Sequence, residues 1–255
     1  MIRFEQVEKR FGSKKVLDGV NFEIKKSEIF IIVGLSGAGK SVSLKHMVRL
    51  LTPDSGRVWV GDDVVSEARG AELERIRARF GYLFQSGALL AWMSAGENVG
   101  LPLREHTRKP DEDINGIARD KMRLVHLEEA YDKMPADLSG GMRKRVSLAR
   151  AIVRDPEIVL YDEPTSGLDP LTSRTIDKLI RDTRDELGVT SIVVTHDLHS
   201  ALSIGDTIAM LHEGKMVEMS PPKQFIQSRH PVVRSFLESQ YITTRGAWEQ
   251  ESTQP

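Results

Sequence analysis

Glu28-Ile29-Phe30-Ile31-Ile32-Val33-Gly34-Leu35-Ser36-Gly37-Ala38-Gly39-Lys40-Ser41 decides the fold of this 255-residue chain. Its first part is a continuous apolar run, the pattern of a parallel strand covered on both faces. Leu44, Met47, Val48 and Leu51 recur at helical spacing, which predicts a helix over residues 40–51. Gly34, Ser36, Gly37, Ala38 and Gly39 therefore form a loop between a buried strand and a helix N-terminus. Glycines let consecutive backbone N–H groups curl around phosphate oxygens, and the helix N-terminus adds partial positive charge. Lys40 can reach the β- and γ-phosphates of a nucleotide, and the Ser41 hydroxyl can ligate Mg²⁺. The plain alternative is a glycine-rich turn that caps a helix. The four fixed positions of this spacing coincide by chance in roughly one chain in a hundred of this length, and the strand–helix context lowers that further.

Phosphate transfer at such a loop needs an acid at the end of a neighbouring buried strand to hold the metal. Ile158-Val159-Leu160-Tyr161-Asp162 supplies it, and Glu163 follows at once. Successive side chains on an extended chain point oppositely, so Glu163 can face an attacking water while Asp162 faces the metal. The continuation Pro164-Thr165-Ser166-Gly167-Leu168-Asp169 makes a simple turn a poor account of the pair.

Further outward, residues 2–30 alternate apolar and polar positions in short runs and read as antiparallel strands with a turn at Gly12-Ser13. Residues 57–60 and 82–84 read as strands around a short charged helix near 71–78. Residues 86–155 are mainly helical, with loops expected at 101–110 and 135–141. A helix is expected over 172–187, and buried strands over 191–195 and 207–211. Strands alternating with helices argue for a parallel α/β sheet, and the helical middle reads as an insertion into it.

Composition excludes several classes of function. Lys plus Arg number 36 and Asp plus Glu 37, for a net charge of −1. That balance gives no electrostatic footprint for nucleic acid or an anionic surface. There is no cysteine, hence neither disulfide nor thiolate-bound metal. The first residues, MIRFEQVEKRF, do not form a secretory signal. The longest apolar stretch, residues 29–35, is far below the roughly 18 residues that a membrane helix requires.

Leu138-Ser139-Gly140-Gly141-Met142 lies about 20 residues before Asp162 and resembles the signature sequence of ABC ATPases. Gln85 resembles that family's Q-loop glutamine, Asp169 its D-loop aspartate and His196 its switch histidine. Phe11 stands where the family places an adenine-stacking aromatic. The motifs occur in the family's order and the resemblance covers about residues 2–230. It implies a P-loop NTPase (RecA-like) α/β core with an antiparallel β subdomain and an inserted helical signature subdomain at about 86–155, within a domain of residues 1–240. It implies ATP as substrate, with Mg²⁺ held by Ser41, Gln85 and Asp162, Glu163 as general base, and His196 steadying the γ-phosphate. Gln85 would relay nucleotide state to a membrane partner. Phe11, residues 34 and 36–42, and Asp169 would contact nucleotide, and Ser139, Gly140 and Gly141 would close over the ATP of a second, head-to-tail copy. Two positions depart from the pattern. Met142 replaces a glutamine and cannot donate a hydrogen bond to ribose, and Val42 replaces a threonine whose hydroxyl would lie near the α-phosphate.

Non-transport members of the family carry long coiled coils, zinc cysteines or paired cassettes, none of which is evident here. Gly140-Gly141-Met142-Arg143-Lys144-Arg145-Val146, Gly87-Ala88-Leu89 and Leu101-Pro102-Leu103-Arg104-Glu105-His106-Thr107 resemble the ATPases of Mla/Mce phospholipid transport systems. That implies a cytoplasmic ATPase homodimer, peripheral on the inner membrane through an integral permease, with an MCE lipid-binding protein and, in some bacteria, an STAS-domain protein. An amino-acid-type importer is the alternative. Apolar residues over 89–103, Leu89 and Trp92 among them, are expected to offer a groove to the permease. Tyr241, Ile242 and Trp248 are large apolar groups in an otherwise polar end, so residues 241–255 read as a tail or partner-binding arm.

Overall fold

The computed structural model describes residues 1–240 and Ile242. The elements run in the order β1 (Ile2–Phe11), β2 (Lys14–Ile24), β3 (Ile29–Val33), α1 (Lys40–Met47), β4 (Ser55–Val60), β5 (Asp63–Val64), α2 (Gly70–Arg77), β6 (Phe80–Leu83), α3 (Ala95–His106), α4 (Asp111–Leu124) and α5 (Gly140–Ala151). There follow β7 (Ile158–Asp162), α6 (Pro170–Leu187), β8 (Thr190–Thr195), α7 (Leu198–Ile204), β9 (Thr207–His212), β10 (Lys215–Ser220), α8 (Pro222–Ile226) and α9 (Pro231–Ser239).

Two sheets organise the chain. The larger has the order β10-β9-β3-β8-β7-β6, parallel from β9 to β6 with β10 antiparallel at one edge. The smaller is antiparallel, in the order β2-β1-β4-β5. The unbroken apolar run of β3 follows from its position: Ile29, Ile31 and Val33 join one core, while Phe30 and Ile32 join the other. With both faces covered, neither set of alternating side chains can be polar. Phe22 stacks on Phe4 at 4.3 Å and on Phe30 at 5.6 Å between ring centroids, which ties the small sheet to the central strand.

Helices α3, α4 and α5 pack on one another to one side of the large sheet. Here the structure departs from the expected loop at 101–110: α3 continues to His106, straight through Pro102. Proline in a helix removes one main-chain hydrogen bond, but this helix is secured elsewhere. Ser94 and Glu97 form a reciprocal cap at its start, and Val99 and Leu103 are buried. The fully buried Asn98 side chain accepts from Leu90 N at 2.8 Å and donates to the carbonyls of Leu90, Met93 and Ser94. Those bonds hold residues 86–94 as loop rather than helix. Among the described residues no helix is long and apolar enough to cross a membrane. Ile242 packs against the larger core cluster, whereas Tyr241 and Trp248 of the expected arm lie outside the described residues.

Candidate active site

The phosphate loop is clamped from both sides. Gly39 has φ 104°, and a Cβ there would lie 2.8 Å from the Val16 carbonyl oxygen of β2. Main chain cannot yield as a side chain can, so only glycine fits. Lys40, 6% exposed, donates from Nζ to the Gly34 carbonyl at 2.8 Å and faces Glu163 Oε1 at 3.6 Å. Its ammonium is thus aimed back across the loop it follows. Ser41 Oγ donates to Asp162 Oδ1 at 2.7 Å, joining the start of α1 to the end of β7. The Tyr82 hydroxyl donates to Asp162 Oδ2 at 3.4 Å, and burial raises its pKa further above neutral.

Asp162 is the last residue of β7, and Glu163 turns the chain. Its φ of 49° is left-handed, a conformation that costs a non-glycine residue about 1–3 kcal/mol and persists where neighbours fix it. Here Glu163 N donates to the Val194 carbonyl at 2.8 Å. The turn sends the Glu163 carboxylate toward two cationic or donor groups: Lys40 at Oε1, and His196 Nδ1 at 2.8 Å from Oε2. Ser36, Gly37, Gly39, Lys40, Ser41, Val42, Gln85, Glu163 and His196 line one cleft of about 590 Å³.

Other expected site residues fall elsewhere. Phe11 closes β1, 48% exposed, with the Lys9 ammonium 5.7 Å from its ring centroid, and it does not line the cleft. Ser139 caps α5 by accepting from Met142 N at 3.2 Å, and Asp169 caps α6 by accepting from Thr172 N at 3.0 Å. Hydrogen bonds from Thr172 hold the Asp169 carboxyl below its ordinary pKa. Gly141 lies against Thr172, whose methyl would sit 2.4 Å from a Cβ there, so the starts of α5 and α6 meet face to face. Ser139, Gly140, Gly141 and Asp169 all lie outside the phosphate-loop cleft. Of the apolar residues over 89–103, Val99 and Leu103 are core, Leu89 packs against it, and Trp92 stands 75% exposed.

Sequence reasoning missed Lys144. Only 6% exposed, it donates from Nζ to the Glu163 carbonyl at 3.0 Å and also to the Gln85 carbonyl. Burial lowers its pKa, with Asp162 and Glu163 acting in the opposite sense. No local pattern marks it, because its two acceptors come from segments 59 residues before it and 19 after it in sequence. Phe236, Ser239 and Gln240 also line the cleft, brought there by α9.

The ABC transporter family matches residues 17–166. The chain is 39% identical over 250 residues to the "probable ribonucleotide transport ATP-binding protein mkl" of Mycobacterium leprae (strain TN), covering 98% of this chain and 72% of that one. It is 38% identical over 229 residues to the intermembrane phospholipid transport system ATP-binding protein MlaF of Haemophilus influenzae, covering 90% and 87%. It is 39% identical over 242 residues to the methionine import ATP-binding protein MetN of Cereibacter sphaeroides, covering 92% and 68%. A dimeric bacterial ABC transporter cassette superposes with a TM-score of 0.81 at 33% identity, over 87% of this chain and 99% of that one. With the phosphate loop, the strand-end carboxylates and the helical layer in their places, this chain belongs to the ABC transporter family and is an ATP-hydrolysing ATP-binding subunit.

Proposed function

We propose that the chain energises phospholipid transport by a separate membrane permease, working as a head-to-tail ATPase dimer. The observation that carries the catalytic reading is the Glu163 carboxylate, set by a left-handed turn between Lys40 and His196. In this reading Glu163 takes a proton from the attacking water as general base. Lys40 and the loop N–H groups of residues 36–41 bind the β- and γ-phosphates, and His196 steadies the γ-phosphate. The hydrogen-bonded pair of Ser41 Oγ and Asp162 Oδ1 is a hard-oxygen donor set that fits Mg²⁺, with Gln85 in reach of the same cleft. When bound, that ion would neutralise charge on the phosphates. Ser139, Gly140, Gly141 and Asp169 serve the nucleotide of the opposite copy, in keeping with their place outside this copy's cleft and with the dimeric state of the similar cassette. In this reading Phe11, exposed at the end of β1, stacks on the adenine.

The lipid assignment is supported by the likeness to MlaF across most of both chains and by the segments at 87–89, 101–107 and 140–146. In this reading the subunit lies at the inner face of the membrane, with an MCE lipid-binding protein and an STAS-domain protein as further partners. A groove of about 620 Å³ between α2, β6, α3 and α5, lined by Phe84, Leu101, Pro102, Arg150 and Arg154 among others, is the permease's docking place. Leu89 and Trp92 do not line it, and the exposed Trp92 extends the docking surface on the loop before α3. The likeness to a methionine import ATPase favours a second reading, an amino-acid importer. The assembly purified with its permease and placed in vesicles distinguishes them. ATP-dependent movement of labelled phospholipid supports the first reading, and ATP-dependent methionine uptake without lipid movement supports the second.

A further inference from the structure

His196 is an exposed side chain on which much depends. Its imidazole is 62% exposed, so packing does not fix it, and its hydrogen bond to Glu163 holds only if the backbone beneath is held. That backbone is the short link between β8 and α7. Thr195 Oγ1 accepts from Asp197 N at 3.0 Å, and the Asp197 side chain caps α7 by accepting from His199 N and Ser200 N. These contacts reach into β8 and α7, and Ser200 Oγ, 3.0 Å from Asp197 Oδ2 and 2.8 Å from Asp177 Oδ2, ties the link to α6. A second anchor reaches the main chain directly: Gln240, just after α9, donates from Nε2 to the His196 carbonyl at 2.6 Å and accepts at Oε1 from Leu198 N at 2.9 Å.

A single primary amide, with its donor and acceptor in one plane, thus satisfies the His196 carbonyl and the Leu198 N–H, the two main-chain groups on either side of Asp197, and so pins the chain directly after the histidine. The clamp stands on a rigid base. Val233, Phe236 and Leu237 anchor α9 in the larger core, and Phe236, Ser239 and Gln240 line the same cleft as Lys40 and Glu163. Leu198 is wholly buried, so its N–H has no ready replacement from solvent.

We infer that Gln240 is a positioning residue for ATP hydrolysis: through the His196 carbonyl and Leu198 N–H it sets the imidazole against Glu163, so the C-terminal helix governs the rate of the chemical step. This role rests on His196 serving the reaction as proposed above. Errors of about an ångström in such groups cost up to about 10²-fold in rate, while the contacts that Lys40 and the loop N–H groups make to the phosphates stay in place.

The test compares ATP turnover, ATP affinity, thermal midpoint and the His196 ring resonances of histidine-labelled full-length chain in wild type, Gln240→Ala, Gln240→Glu and His196→Ala. Gln240→Ala is expected to lower kcat about tenfold or more with KM for ATP within about twofold, the signature of an interaction used in the transition state. It should shift the His196 resonances but not those of His212. Gln240→Glu keeps the acceptor for Leu198 N, loses the donor to His196 O, and should fall between. Unchanged kcat and unchanged His196 resonances in Gln240→Ala would overturn the inference, as would a loss of kcat accounted for by a lower thermal midpoint. If His196→Ala itself leaves turnover intact, the role of His196 fails instead, and the resonance shift alone reports whether Gln240 positions it.

Discussion

Lys144 Nζ and the main-chain carbonyl of Glu163 lie 3.0 Å apart, 19 residues distant in sequence, and the same ammonium holds the carbonyl of Gln85. One buried cation thus couples the segment that begins the helical layer to the turn that carries the proposed general base. The two carbonyls share a contact that involves no bound nucleotide.

Replacing Lys144 by Met keeps its length and apolar stem but removes the donor to the Gln85 carbonyl and leaves the Glu163 carbonyl with only Ser166 N at 3.3 Å. An unsatisfied buried group costs about 1–3 kcal/mol, so the thermal midpoint should fall by several degrees. Turnover should fall more than stability accounts for, because the Glu163 turn loses its support. Full turnover in folded Lys144→Met at a temperature well below its midpoint would show that the carbonyls need no tie.

Trp92 is 75% exposed on the loop before α3, whereas its neighbours Val99 and Leu103 are core. Trp92→Glu should leave the thermal midpoint and ATP turnover of the isolated subunit unchanged and reduce recovery of the permease in pull-down severalfold. Equal recovery with the variant would remove this loop from the docking surface.

His46 is 1% exposed; its Nδ1 meets the Val42 carbonyl at 2.6 Å, and Nε2 is buried without a partner. Burial depresses its pKa below the ordinary value near 6.5. The folded chain therefore binds fewer protons here than the unfolded chain, and stability is lost as pH falls below about 6.5, at up to about 1.4 kcal/mol per pH unit until the folded-state pKa is reached. Other histidines and the buried Asp177, whose pKa burial raises, are common to wild type and His46→Gln, so the difference between the two from about pH 7.5 to 5.5 isolates the effect. Denaturant midpoints should fall across that window in wild type and less steeply in His46→Gln. Parallel profiles would assign the acid sensitivity to other groups.

Much of this was legible in the chain itself. The run Ile29 to Val33, the glycine spacing after it and the acid pair at 162–163 depend on local order alone, and all stand where that order places them. The helix through Pro102 was not legible, because its support is the buried Asn98 and the core contacts of Val99 and Leu103, which outweigh the local rule. Phe236 and Gln240, more than 190 residues beyond the loop in sequence, line the cleft beside it, and no local signal marked them. Nothing in local pattern links α9 to a loop so distant; the order β10-β9-β3 in the sheet brings α9 back past the phosphate loop.

The account turns on Glu163. In Glu163→Gln the side chain keeps its size and can still accept from His196, but it no longer takes a proton from water. ATP turnover of the full-length chain, measured beside ATP binding and ATP-dependent dimer formation, is the direct test. The prediction is a loss of about 10²-fold or more in kcat, with ATP still bound and dimers accumulating in its presence. Turnover near the wild-type rate would contradict the assignment of Glu163 as the base.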